Sequence, residues 1–319
     1  MAVYTRVASE EIETFLQQYE VGTLVSAKGI AEGVENSNYL IETTKDRFIL
    51  TLYEKRVDPE DLPFFLGLLD DLQRAGLPVP PAIKDRHGQQ IQQLAGRTAC
   101  LIQFLPGVSV SHPTPGQAKA AGQALAKMHE ATLNYEPRRT NDMGLASWAR
   151  LANDCGEAEL DKIEVGLADI ISSELRFLEQ HWPKDLTVSA IHADLFPDNV
   201  LMLGDEVTGV IDFYFSCTDF TAYDVAVTHA AWCFSDDGSV YQESLSAALM
   251  AGYHHARPIM ANEFAALPIL ARGAALRFLL TRAYDWINTP PEALVTRKDP
   301  MAFLNRLRFY QNNADAFTL

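Results

Sequence analysis

Short runs with β-branched and aromatic residues lie over Leu24 to Ile30, Ser37 to Thr43 and Arg47 to Tyr53. Such runs bounded by polar and glycine-containing turns read as strands, so three strands are predicted, with the polar turn Lys45-Asp46 between the second and third. Ahead of them, Ser9-Glu10-Glu11-Ile12-Glu13 predicts a helix to about Tyr19, with Ser9 as N-cap and early acids. Asp58-Pro59-Glu60-Asp61 opens a second helix through Leu72, closed by Gly76 and Pro78. Two more strands are predicted near Gln90 to Leu94 and Thr98 to Phe104. After Leu105-Pro106-Gly107 the pattern turns helical. Ala121, Leu125, Met128 and His129 share one face of a helix from Gln117 to Thr132. Further helices are predicted over Glu157 to His181, Tyr223 to Phe234, Val240 to Arg257 and Asn262 to Asn288. Between them, Val200 to Leu203 and Val207 to Ile211 flank the polar turn Gly204-Asp205-Glu206, which reads as a hairpin. The change of pattern predicts an α+β chain with a β-rich lobe over residues 1–104 and an α-rich lobe over 105–319.

Size and charge sharpen this picture. A chain of 319 residues exceeds the usual single domain, so two lobes are expected. Hydrophobic content of 48% and charged content of 21% fit a globular chain. The net charge of −16 and the lack of a basic stripe argue against nucleic-acid partners. No apolar leader and no run of about 18 apolar residues are seen, so a cytoplasmic chain without a membrane span is expected. Cys100, Cys155, Cys217 and Cys233 are widely spaced, which suggests small buried residues rather than a zinc or redox pair. Composition leaves monomer and homodimer both open.

The candidate chemistry lies in His192-Ala193-Asp194-Leu195-Phe196-Pro197-Asp198-Asn199, followed by Ile211-Asp212-Phe213. His-x-Asp-x-x-x-x-Asn with a later apolar-flanked Asp is the order of a phosphoryl-transfer loop and its metal-binding Asp. Such chemistry needs a carboxylate beside the attacking hydroxyl, here Asp194. It also needs hard oxygens for Mg²⁺, here Asn199 and Asp212. An acidic chain that takes ATP must offset the phosphate charge with metal, backbone amides and local cations.

The nucleotide side is less sharply written. Gly29 to Asn38 joins the first two strands, with Gly33, Asn36, Ser37 and Asn38 as candidate phosphate donors. It matches neither a Walker A sequence nor Gly-x-Gly-x-x-Gly. The third strand holds Thr51 where a kinase normally carries Lys. Lys55 lies on the same strand face and either reaches inward or ends the strand in solvent. The connector Cys100 to Gly107 is a candidate hinge, with backbone groups of Gln103 and Leu105 facing adenine; a plain core strand explains the same segment.

The octapeptide resembles that of the aminoglycoside-phosphotransferase and choline-kinase-like superfamily, which usually has Gly where this chain has Ala193. Leu125 to His129 and Tyr223 to Ala226 resemble further segments of that superfamily. More narrowly, Gly29 to Tyr39, Ile49 to Arg56, Ile211 to Phe215 and Leu276 to Trp286 are similar to the homoserine kinases within it. The resemblance covers essentially the whole chain. It implies a bilobal protein-kinase-like fold and MgATP-dependent phosphorylation of L-homoserine to O-phospho-L-homoserine for threonine synthesis. Spacing alone reaches a small-molecule kinase, and another amino alcohol or an aminoglycoside is the alternative acceptor.

Homoserine would need a cation for its carboxylate and an anion for its ammonium. Arg277 and Arg282 share one predicted helix but are turned apart by roughly 140°. Arg277, amid Leu276, Phe278 and Leu279, is the preferred clamp; a buried structural arginine fits equally. Arg282 has Asp285 as an intrahelical partner. Asp219 is either the ammonium partner or a turn cap, and Asp224 is expected to order the catalytic loop. His129, His192, Trp232 and Trp286 read first as packed residues.

Overall fold

A computed structural model describes residues 5–30, 36–54, 57–289 and 297–319. The chain forms two compact units, one of Met1–Gly107 with Gly209–Tyr214, the other of Val108–Thr208 with Phe215–Leu319.

The first unit holds α1 (Ser9–Leu16), β1 (Leu24–Gly29), β2 (Ser37–Thr43), β3 (Arg47–Leu52), α2 (Leu62–Arg74), β4 (Gln92–Leu94) and β5 (Arg97–Gln103). The strands form one sheet in the order β1-β2-β3-β5-β4, and its ladders are antiparallel. Apolar side chains of β2 and β3 set the buried face. Tyr39 and Ile41 of β2 and Phe48, Leu50 and Leu52 around β3 pack against Ile12, Phe15, Leu16 and Tyr19. Register pairs Asn38 with Thr51 and Thr51 with Cys100. One cap differs from expectation. Ser9 lies inside α1; Ala8 is the N-cap, and Glu11 accepts from the Ala8 N–H at 2.9 Å. Asp58 does cap, accepting from Glu60 N, but it opens a 3-10 turn ahead of α2.

The second unit contains α3 (Pro115–Thr132), α4 (Leu145–Cys155), α5 (Glu157–Ile163), α6 (Leu167–His181), β6 (Val188–Ile191), β7 (Val200–Leu203), β9 (Cys217–Phe220), α7 (Thr221–Trp232), α8 (Glu243–Ala256), α9 (Ala261–Asn288) and α10 (Met301–Asn312). The expected hairpin forms as β7 with β8 (Glu206–Val210). Thr114 caps α3 by accepting from Gln117 N, and Gln117 returns the bond to Thr114 N. The helix expected over Glu157 to His181 is broken in two at Gly166, whose φ of +81° ends one helical path and starts another. Helices α3 and α8 approach at Gly122 and Gly252, where a Cβ would run into the carbonyls of Leu249 and Lys119. Helix α9 is long and apolar enough to cross a membrane, yet 67% of its apolar window is buried inside the protein, which marks it as a core helix. All four cysteines are buried.

Candidate active site

The octapeptide His192 to Asn199 follows β6, which pairs antiparallel with β9 and anchors the loop at Ile191 opposite Cys217. From there the backbone is held almost atom by atom. The carboxylate of Asp224, on α7, accepts from His192 N at 2.7 Å and Ala193 N at 2.8 Å. Arg277 donates from Nη1 to the Ala193 carbonyl. Trp232 donates from Nε1 to the Leu195 carbonyl at 2.9 Å. Asp194 N donates to His192 Nδ1 at 3.3 Å.

These clamps have a local reason. Ala193 has φ of +62°, a conformation that glycine takes freely and alanine at a cost. Three hydrogen bonds to its peptide groups and its neighbour's offset that cost and hold the turn. Asp224 is wholly buried. Burial would raise its carboxyl, but hydrogen bonding from His129 and the charges of His129 and His192 hold it below the ordinary carboxylate range. His129 Nε2 lies 3.1 Å from Asp224, and an acceptor-only carboxylate puts the proton on that nitrogen. Behind it, Nδ1 and the Tyr253 hydroxyl share a 2.7 Å bond; Tyr253 accepts from Arg257, which pairs with Glu263 at 2.8 Å. A continuous buried polar chain therefore supports the loop from α3, α7, α8 and α9.

Asn199 Nδ2 donates to the Asp194 carbonyl at 2.8 Å and to its carboxylate at 3.3 Å. With both amide hydrogens turned to Asp194, the side-chain oxygen of Asn199 faces away as an acceptor. Such an amide oxygen is a hard donor of the kind a divalent ion takes. Asp212 has φ of +65°. Among the described residues, no group of three or more His, Cys, Asp or Glu forms a self-sufficient metal cage.

The expected acceptor-side residues occupy distinct places. Arg277 is 2% exposed, with its guanidinium over the Phe278 and Phe215 rings. Asp219 accepts from Asn141 Nδ2 and Phe220 N, both at 2.7 Å, and burial raises its carboxyl above the ordinary value. Asp224 orders the loop as expected. Trp232 is buried, whereas Trp286 is half-exposed under Arg297.

In the first unit, Thr51 is buried and donates to Asn38 Oδ1 at 2.8 Å. Ser37 donates to Glu54 at 2.7 Å, and Asn36 Oδ1 accepts from Glu54 N. Beside Thr51, the rings of Tyr53 and Phe65 pack edge-on to Tyr214. Gly33 and Lys55 lie outside the described residues. Of the Gln103 backbone groups, the N–H is engaged: it donates to the Pro81 carbonyl at 3.0 Å. Leu105 is partly buried in the segment beyond β5.

Residues 26–259 match the family model described as the phosphotransferase enzyme family. A homoserine kinase of Zymomonas mobilis is 53% identical over 98% of this chain and 97% of its own. One of Rhizobium meliloti is 51% identical over 98% and 95%. The chain belongs to the phosphotransferase enzyme family, on its homoserine-kinase branch. An amicoumacin kinase structure superposes with a TM-score of 0.74 at 12% identity, over 98% of this chain and 96% of that one. An aminopropanol kinase structure superposes at 0.70 with 19% identity, over 97% and 98%. Both likenesses establish the protein-kinase-like fold.

Within this phosphotransferase fold, sequence reading missed the strand pair β6 and β9, each four residues long and too short to alternate visibly. It also missed α4 and α10, and with α10 the ring of Phe303 beside Phe278. Phe303 carries no local signal, since only tertiary packing brings it to the loop.

Proposed function

We propose that this chain transfers the γ-phosphoryl group of MgATP to the side-chain hydroxyl of L-homoserine, giving O-phospho-L-homoserine for threonine synthesis. Homoserine kinases at half or more identical positions over nearly the full length support the acceptor. The observation that carries the chemistry is the fixed Asp194, held by Asn199 at its side chain and by a clamped backbone beneath it.

Asp194 receives the proton as the homoserine oxygen bonds to the γ-phosphorus and the bond from that phosphorus to the ADP oxygen breaks. The Asn199 and Asp212 oxygens would hold a Mg²⁺, which when bound would offset charge on the phosphates. Asn199 also fixes the rotamer of Asp194. On the nucleotide side, Asn36, Ser37, Asn38 and Thr51 shape the strand ends that meet ATP, and Leu105 remains the hinge contact. Gly33 and Lys55 keep their assignments to the phosphates. Arg277 and Asp219 are reassigned from substrate to scaffold, because their polar atoms serve the loop and the start of α7. Residues 1–104 form the nucleotide lobe and 105–319 the acceptor lobe. The enzyme acts in the cytoplasm on free small molecules, as a monomer or homodimer, without nucleic acid or membrane.

A panel of L-homoserine, 3-aminopropan-1-ol, choline and an aminoglycoside, read by ADP release, tests the acceptor. L-homoserine should give the highest kcat/KM; a higher value for any other acceptor would reject it. Titrating Mg²⁺ in Asn199→Ala and Asp212→Ala tests the metal assignment. Both variants should need more metal, and an unchanged dependence in both refutes it.

A further inference from the structure

Three arginines stack on the aromatic layer made by Phe278 and Phe303, and two of them are committed to backbone carbonyls. Arg306 is 4% exposed and donates to the carbonyls of Ala230, Ala302 and Ser235. Arg277 donates to Ala193. Arg282 is different. Its guanidinium lies 4.5 Å from the Phe303 centroid, is partly buried, and donates from Nη1 to the Asp299 carbonyl at 3.2 Å. Among the described residues, no carboxylate closes an ion pair with it. A guanidinium has five N–H donors in a planar fork, so most of its capacity is uncommitted.

The position of that cation matters. Phe303 meets Phe278 at 5.0 Å, and Phe278 meets Phe196 at 4.9 Å. Phe196 is part of the catalytic loop, and its N–H donates to the Asp194 carbonyl at 2.8 Å. An aromatic shelf therefore runs from the loop of Asp194 to Arg282. Burial pushes the Arg282 guanidinium down to about 10 and Arg306 adds to this, while Asp198, Asp299 and Asp194 oppose it. It remains a cation at neutral pH, within electrostatic reach of the reacting carboxylate. A partly desolvated cation is costly until an anion meets it.

We propose that Arg282 receives the carboxylate of the amino-acid acceptor, with Phe196, the partly exposed ring of the aromatic stack, beside its methylenes. This rests on the homoserine-kinase reading above and names the residue that sets its specificity. The acceptor's carboxylate sits on Arg282 and its hydroxyl at Asp194. An amino alcohol without the carboxylate leaves the guanidinium unpaired, which is how a polar site rejects a truncated analogue. Arg suits the role because its fork meets a carboxylate in two parallel bonds.

The test compares kcat/KM for L-homoserine with that for 3-aminopropan-1-ol, the same skeleton without the carboxylate, in wild type, Arg282→Gln and Arg282→Lys. Wild-type preference for L-homoserine should fall in Arg282→Gln by about ten- to a hundredfold, the worth of a charged hydrogen bond. The loss should appear in the KM for homoserine, and Arg282→Lys should recover part of it. An unchanged preference overturns the proposal. So does an equal loss for both acceptors with a lowered Tm, which would make Arg282 a prop for Phe303. Absence of homoserine turnover in wild type would overturn the functional reading itself, before any variant is compared.

Discussion

The floor and the rim of the catalytic loop are built on opposite principles. On the floor, Asp224, His129, Trp232 and Arg277 are buried, and their polar groups meet the backbone of residues 192–195 or one another. On the rim, Lys298 and Asp198 pair at 3.5 Å with about 60% of each side chain exposed, and Arg282 has one backbone contact. An exposed pair of that kind is worth little in stability. The contrast teaches a division of labour: the floor fixes the backbone around Asp194, and the rim keeps charge that the loop itself does not use. Two arginines five positions apart on α9 fall on opposite sides of that division. Floor substitutions should therefore lower stability and kcat together, whereas rim substitutions should act through the acceptor KM.

The largest effect is expected for Asp224→Ala. It strips the acceptor from two buried N–H groups and from His129. A cost of about 3–5 kcal/mol is expected from breaking a buried network on one side, read as a lower urea midpoint at unchanged m-value. Turnover should fall with it. A variant with full stability would break the idea that the floor carries the loop.

Asp224 also gives a pH dependence. Its folded pKa is depressed, so its contribution is fully present above the unfolded carboxylate value of about 4. That contribution is lost as pH falls through the lower folded value. The stability gap between wild type and Asp224→Asn should be flat at neutral pH and shrink in acid. A gap that grows in acid would contradict the sign.

Arg277→Lys should come next, at about 1–3 kcal/mol, because the Ala193 carbonyl loses its donor and a point charge cannot replace the fork. Thermal unfolding and kcat should both drop, while the homoserine KM holds. A selective rise in that KM would return Arg277 to the substrate side.

Ala193→Gly is the smallest. The left-handed φ of +62° costs a residue with a Cβ roughly 1–2 kcal/mol, part of which glycine returns as chain entropy. A slight gain in Tm with unchanged turnover is expected; a loss would show that the alanine methyl contributes packing that outweighs its strain.

The sequence made some of this legible and hid the rest for physical reasons. The sheet of the first unit was readable because β2 and β3 are short runs with β-branched and aromatic residues set between turn residues. The meeting of Asp194 and Asn199 was readable because it is local: one turn brings the amide of Asn199 to Asp194. Arg277 was read toward the substrate because its neighbours are apolar, yet the same surroundings place it 2% exposed under the loop. Arg282 and Phe303 lie far along the chain, on α9 and α10, and no spacing links them to the octapeptide. The break at Gly166 escaped because the apolar pattern continues on both sides of it.

The central claim is that the floor exists to hold Asp194 against the hydroxyl of L-homoserine. Single-turnover rapid quench with saturating nucleotide and L-homoserine, comparing wild type with Asp194→Asn, measures this directly. Phosphoryl transfer should slow by a factor on the order of 10²–10⁴, with nucleotide affinity and Tm retained. Transfer at the wild-type rate in a folded Asp194→Asn would contradict the account.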